Sequence, residues 1–375
     1  MTIVGITWDH PRGRAALEAA ADRARADPEG VDIQWHAHSL EHFESHPIAQ
    51  LAERYDLLVL DHPHLGEALA SDSLRPLDEL MGHALLASWA RASVGPTFAS
   101  YSLEGRQWAL PLDAATQVAA YRAAAIDSAP VTWGDVVAAA PRLRVALCLA
   151  GPHAFLTFAS VCVALGEEPA TEPGRLVSAE TATAALETLR EIAGRAPEGT
   201  SALNPIRMLE RMSIEADIDY VPLVYGYVNY SMPGLRFADA PRSTVDGRPG
   251  STLGGTGLAI SRRCEVTPAL LGHLEWLMSD DMQRRFIPVH SGQPSRRAAW
   301  EDPLVDAAAH AFYSGTLATV EGSWVRPRYD GYIAFQGKAS ALVRSALEGE
   351  QTVAATVAAL DAAYEASTIP RVSAR

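Results

Sequence analysis

A carboxylate beside an imidazole can grip hydroxyls or an amine, or move a proton near neutral pH. The chain carries this pairing twice, as Asp9-His10-Pro11 and as Asp61-His62-Pro63-His64. Each group follows a strand-like run, so two neighbouring parallel strands would set them face to face. Asp9, His10, Asp61, His62 and His64 are therefore candidate ligand contacts. Two other uses of the same residues compete. Asp-Pro and His-Pro turns cap helices and end strands, and His62-x-His64 could contribute to a metal site. If the chain is an enzyme, His62 or His10 is the acid/base, with Asp61 or Asp9 orienting the ring. The other histidines of the N-terminal part, His36, His38, His42 and His46, read as surface residues.

Flat faces with polar rims suit sugar rings and other planar ligands. Trp8 ends a strand, and Tyr225, Tyr227 and Tyr230 surround Asn229, so Trp8, Tyr225, Tyr227 and Asn229 join the candidates. Packing is the competing use of such aromatics; it is the reading for Trp133, and helix packing or surface is the reading for Trp89, Trp276 and Trp300. Asp113, Thr116 and Gln117 could reach a ligand or tie neighbouring strands together. Gly254, Gly255 and Gly257 resemble a phosphate cradle only superficially: no Lys-Ser/Thr follows and no helix opens there. Gly255 instead suits a mobile connection or close backbone approach to a ligand. His290 and Gln293 lie in a polar loop before Pro294, and Arg326 could bind an anion or pair with a surface acid. Neither G-x-S-x-G nor H-E-x-x-H is present. Cys148 and Cys162 sit in apolar surroundings as inert thiols. No metal and no cofactor is expected.

The elements that must hold these residues begin as alternating strands and helices. Ile3–Thr7 reads as a strand, Arg14–Arg25 as a helix, Val31–His36 as a strand, and Leu40–Arg54 as a helix interrupted at Pro47. Tyr55–Leu60 is a continuous apolar run, the pattern of a strand covered on both faces. This order implies a parallel sheet with helices on both sides, whose ligands bind beyond the carboxyl ends of the strands. Further on, Trp108–Asp113, Thr116–Arg122, Asp219–Val224 and Leu258–Ser261 read as extended. Thr132 caps a helix through Trp133–Ala140, and helices follow over Gly151–Gly166, Ser178–Gly194 and Pro268–Leu277. The tail is helical over Ile333–Leu347 and Val353–Glu365, with a break near Gly349.

Composition narrows the classes. The 375 residues are 48% hydrophobic and 20% charged, ordinary values for a globular chain of about two domains. A net charge of −14 disfavours nucleic acid and anionic membrane. Three scattered cysteines make no disulfide framework and no zinc motif. No apolar stretch is long enough for membrane insertion. Met1 runs directly into a strand with no basic or apolar leader, which places the protein in the cytoplasm as the sequence stands, or in the periplasm or outside the cell if a leader has been removed.

Four segments, in order, resemble the family 1 extracellular solute-binding proteins, the substrate receptors of carbohydrate-type ABC transporters. They are Leu110–Arg122 (LPLDAATQVAAYR), Pro130–Asp135 (PVTWGD), Gly254–Ser261 (GGTGLAIS), and the pair Phe286–Pro294 with Tyr332–Gln336. Together they span nearly the whole chain. The resemblance implies an α/β, periplasmic-binding-protein-like type II fold: two discontinuous lobes joined by a hinge, with ligand in the cleft between them. Lobe one would be residues 1–111 plus 258–315, and lobe two 112–257 plus 316–375. It also implies a small polar ligand, by default a sugar or polyol, an ABC permease as partner if the protein is exported, and a monomer. A cytoplasmic enzyme on the same fold, working through an Asp/His pair, is the alternative.

Overall fold

The computed structural model describes residues 2–368. Met1 and residues 369–375, which the expected lobe bounds include, lie outside that range. The strands of the two larger sheets are β1 (Thr2–Trp8), β2 (Asp32–His38), β3 (Leu57–Leu60), β4 (Ala109–Asp113), β5 (Gln117–Arg122), β6 (Tyr220–Tyr225), β7 (Leu235–Ala238) and β8 (Thr256–Ile260). The helices include α1 (Pro11–Ala26), α2 (His153–Ala164), α3 (Ala179–Ala193), α4 (Pro268–Leu277), α5 (Phe312–Glu321), α6 (Tyr332–Leu347) and α7 (Val353–Thr368). Helix α1 starts earlier than the periodicity suggests, because His10 caps it and Pro11 fits the first helical position. Pro47 splits the expected helix over 40–54 into Leu40–Ser45 and Ile48–Ala52, as a residue without an N–H must.

The chain folds as two compact units. Over the described residues, unit one comprises 2–115, 227–229 and 254–314, and unit two comprises 116–226, 230–253 and 315–368. The crossings differ from the expected 111/112 and 257/258. Asp113 pairs with Thr256 in the β4–β8 ladder, which holds both ends in unit one. Tyr227–Asn229 is a short excursion that the sequence pattern does not announce.

Unit one is built on a five-stranded sheet in the order β2-β1-β3-β8-β4. Strand β1 is parallel to β2 and β3, whereas β8 is antiparallel to both β3 and β4. The parallel arrangement expected of the first three strands is present, and β8 and β4 extend it into a mixed sheet. All four residues of β3 are buried. Leu57 and Val59 join Ile3, Leu17 and Leu258 in one core, while Leu58 and Leu60 join Ile6, Leu65 and Tyr101 in another. That is the period-2 division of a strand covered on both faces.

Unit two has a three-stranded antiparallel sheet, β6-β5-β7. All 12 residues of α2 are buried, as befits a helix apolar on every side. Its Phe155 and Phe158 share a core with Leu186 of α3, Phe335 of α6 and Leu360 of α7. Thr132 and Asp135 form a reciprocal capping box for the helix Trp133–Ala139. The three cysteines are buried and unpaired, and Lys338, the single lysine of the sequence, is exposed on α6. Among the described residues no helix is long and apolar enough to cross a membrane.

Candidate functional site

The end of β1 and the start of α1 fix the first candidates. The His10 Nδ1 accepts the Arg12 backbone N–H at 3.1 Å and so caps α1. This is the capping use of the His-Pro turn. Accepting at Nδ1 places the neutral ring's proton on Nε2. Burial, aided by the positive Arg12, lowers the His10 pKa to about 4, so the ring is neutral at neutral pH. Its face meets the Tyr227 ring edge-on, with centres 4.8 Å apart. Asp9 points away, exposed, to Arg14 at 2.6 Å.

Arg12 organises the site, and sequence reading missed it. It is buried in the first turn of α1, where the helix dipole disfavours a cation, so a carboxylate must compensate. Asp113, the last residue of β4, does so in a bidentate pair: Nε to Oδ1 at 2.8 Å and Nη2 to Oδ2 at 2.6 Å. Both side chains are about 95% buried, at 4% and 5% exposure. Burial raises the Asp113 pKa and Arg12 opposes this only in part, whereas at Arg12 the carboxylate outweighs burial and the pKa is raised. The guanidinium lies 4.3 Å from the Tyr227 ring centre and 5.8 Å from that of Trp8, within the range of cation–π attraction. Tyr313, also missed, is buried with its hydroxyl pKa pushed up by burial and by Asp113. The Trp8 Nε1 and the Thr256 hydroxyl are buried without a hydrogen-bond partner. Gly13 permits this packing, since a Cβ there would lie 2.4 Å from the Trp8 ring.

Other candidates have structural work that the sequence left open. Asp61 accepts the His62 N–H at 2.9 Å and caps the 3-10 turn His62–His64. His62 is wholly buried, edge-on to Tyr101 at 6.2 Å, and His64 is 1% exposed with its Nδ1 3.8 Å from Glu67. The Asp-His-Pro-His turn folds both rings inward and leaves the His62 Nδ1 3.1 Å from the Asp61 carboxylate, the carboxylate–imidazole neighbourhood that the sequence suggests. Gln293 Oε1 accepts the Val228 N–H at 3.0 Å and its Nε2 donates to Ala114 O at 2.6 Å; Asn229 donates to Ser291 O at 2.9 Å. These bonds hold the 227–229 excursion in unit one. His290 stacks on Phe286 at 4.1 Å. Gly255 has φ +86°, and a Cβ there would lie 2.4 Å from Asp113 O, so backbone packing alone requires glycine.

Gln117, Tyr225 and Arg326 belong to unit two. Gln117 has no exposure: Ser160 Oγ donates to its Oε1 at 2.6 Å, and its Nε2 donates to Thr157 Oγ1 at 3.3 Å. Ser160 also meets Thr252 at 2.9 Å, Ser251 donates to Gln117 O at 2.6 Å, and Thr116 bonds to Ser251. Of the two uses open for Thr116 and Gln117, the structure displays the strand tie. Tyr225 is half-buried, edge-on to His153 at 5.7 Å. Arg326 is buried and donates to Gln336 Oε1 at 3.2 Å.

The arrangement brings together Trp8, His10, Asp113 and Tyr227 around Arg12. It combines two aromatic rings, a neutral imidazole and a charge-compensated carboxylate, all buried, which is hydrogen-bonding chemistry. Among the described residues no group of three His, Cys, Asp or Glu could hold a metal ion.

No family model matches the sequence, and no curated protein matches it. Solved structures do match. An ABC transporter solute-binding protein from Agrobacterium radiobacter K84, in complex with ribitol, has a TM-score of 0.81 at 18% identity over 98% of each chain. MalE3 of T. maritima, with bound maltose, has a TM-score of 0.80 at 18% identity over 97% of this chain and 99% of that one. UgpB of Mycobacterium tuberculosis, in complex with glycerophosphocholine, has 0.77 at 16% identity over 98% of each. The likeness shows the fold: a periplasmic-binding-protein-like α/β architecture, as the ordered sequence motifs imply.

Proposed function

We propose that the protein is a solute receptor for ABC-type uptake and that it takes an uncharged polyhydroxylated ligand, a sugar or polyol. The observation that carries this reading is the Arg12–Asp113 pair under Tyr227 and beside Trp8. A carboxylate engaged by guanidinium keeps lone pairs for ligand hydroxyls, while its charge is already compensated. His10 adds a neutral donor or acceptor, and the aromatic rings suit the apolar faces of sugars. Proteins of this fold hold ribitol, maltose and D-mannitol. The reading assigns ligand contact to Trp8, His10, Asp113 and Tyr227 in unit one. Its partner is a permease, which requires placement outside the cytoplasmic membrane.

The test is an intrinsic-fluorescence titration with ribitol, D-mannitol and maltose, followed by recovery of the ligand. A saturable change with at least one of them, and ligand recovered unaltered, is the expected result. Chemically changed product at catalytic turnover, or no saturable response to any sugar or polyol, overturns the reading.

A further inference from the structure

A cavity of about 420 Å³ lies in unit one between the C-terminal part of α1 and helix α4, and shares no residue with the Arg12 site. Its size falls within the range of small-molecule sites. Ala20, Ala24 and Val31 give it apolar lining, and Trp276 an aromatic one. Trp276 is fixed by edge-on contact with Phe286 at 5.2 Å and by His273 at 5.9 Å. His273 is 7% exposed, with its Nε2 buried and without a hydrogen-bond partner. Burial, then Arg23, lowers its pKa to about 4, so this wall of the cavity is neutral at neutral pH.

The charges around it are both present and uncombined. The Arg23 guanidinium lies over the Trp276 ring at 4.0 Å, and among the described residues it makes no hydrogen bond and no ion pair. Stacking uses the face of a guanidinium and leaves its N–H edge for an acceptor. Asp27 is four residues on, the spacing of a helical ion pair. However, α1 ends at Ala26, Asp27 is extended, and its carboxylate accepts the Glu29 N–H at 3.1 Å instead. The exposed Glu29 carboxylate, also lining the cavity, has no partner among the described residues.

We infer that this cavity binds a small zwitterion, an α-amino acid with an apolar or aromatic side chain. The ligand carboxylate takes the N–H edge of Arg23, its ammonium takes Glu29 and Asp27, and its side chain lies on Trp276 and the alanine–valine lining. The inference stands apart from the sugar reading, since the two sites share no residue.

Calorimetric titration with L-phenylalanine tests it, alongside 3-phenylpropionate, which lacks the ammonium, and phenethylamine, which lacks the carboxylate. Arg23 and Glu29 are exposed, so Arg23→Gln and Glu29→Gln leave the fold intact. The expected result is one saturable site for L-phenylalanine, with each single-charge analogue and each variant at least about tenfold weaker. No saturable binding at the solubility limit overturns the inference. So does equal affinity of Arg23→Gln or Glu29→Gln, or analogues that bind as tightly as the amino acid.

Discussion

Arg12 and Asp113 stand 101 positions apart in sequence, and each makes the other tolerable in the interior. Removing one partner of a buried pair leaves an uncompensated charge and costs about 3–5 kcal/mol, whereas replacing both by apolar residues is often neutral. Arg12→Ala should therefore lower stability by about that amount. The double variant Arg12→Met/Asp113→Leu should recover most of it while abolishing ligand binding. Chemical denaturation and the fluorescence titration, run on both proteins, separate the two effects; a double variant that still binds would remove the pair from the site. Trp8 and Asp113 are legible in the sequence because they end strands. Arg12 is not, because what makes a buried guanidinium possible there is a partner that only the fold supplies. His62 shows the converse. Its type and neighbours suggest chemistry, but burial against Tyr101 gives it a packing role that no spacing reveals.

Elements were readable where burial and periodicity agree. The run LLVL of β3 and the amphipathic α3 announce themselves, since a twice-covered strand and a one-faced helix leave different apolar patterns. The direction of β8 does not: all five of its residues are buried, and that pattern is the same for a parallel or an antiparallel strand. The four residues of β7 are too few to show a period. Within unit two, α2 is apolar all round, yet it carries Thr157 and Ser160 into a network with Gln117, Ser251 and Thr252 beneath β5. A buried acceptor that loses its donor costs about 1–3 kcal/mol. Ser160→Ala should destabilise by that amount, because the Gln117 amide oxygen loses the hydroxyl that satisfies it. Urea unfolding checks this, and a change under about 0.5 kcal/mol would mean that the network is not what anchors β5.

At the scale of the molecule, burial of neutral histidines sets the response to acid. His10, His38 and His273 each have a pKa lowered from 6.5 to about 4, in every case chiefly by burial. Between those values the unfolded chain binds more protons than the folded one, so stability falls as pH falls. The contribution is intact above about pH 6.5 and lost on passing through about pH 4, at up to about 3 kcal/mol for the buried His10. Asp219, held low by Arg144, loses its pairing further down the same slope. Denaturation midpoints should decline steadily from about pH 7 to about pH 4, and a flat profile would contradict the neutral state of the buried His10 and His273 and of His38, which is half-buried and not the surface residue its sequence position suggests. The opposite side of the pH scale is quieter, since the ion pairs described are made by arginine, whose guanidinium keeps its proton throughout.

That reliance on arginine leaves Lys338 as the only ε-amine among 375 residues, exposed on α6 of unit two, while all three thiols are buried. Amine-directed reagents thus meet a single side chain, far in sequence from Trp8, His10 and Arg12, and thiol reagents meet none in the folded protein. A dye attached there, and a second one on a cysteine introduced into unit one, would give each unit its own reporter without altering Trp8, His10 or Arg12.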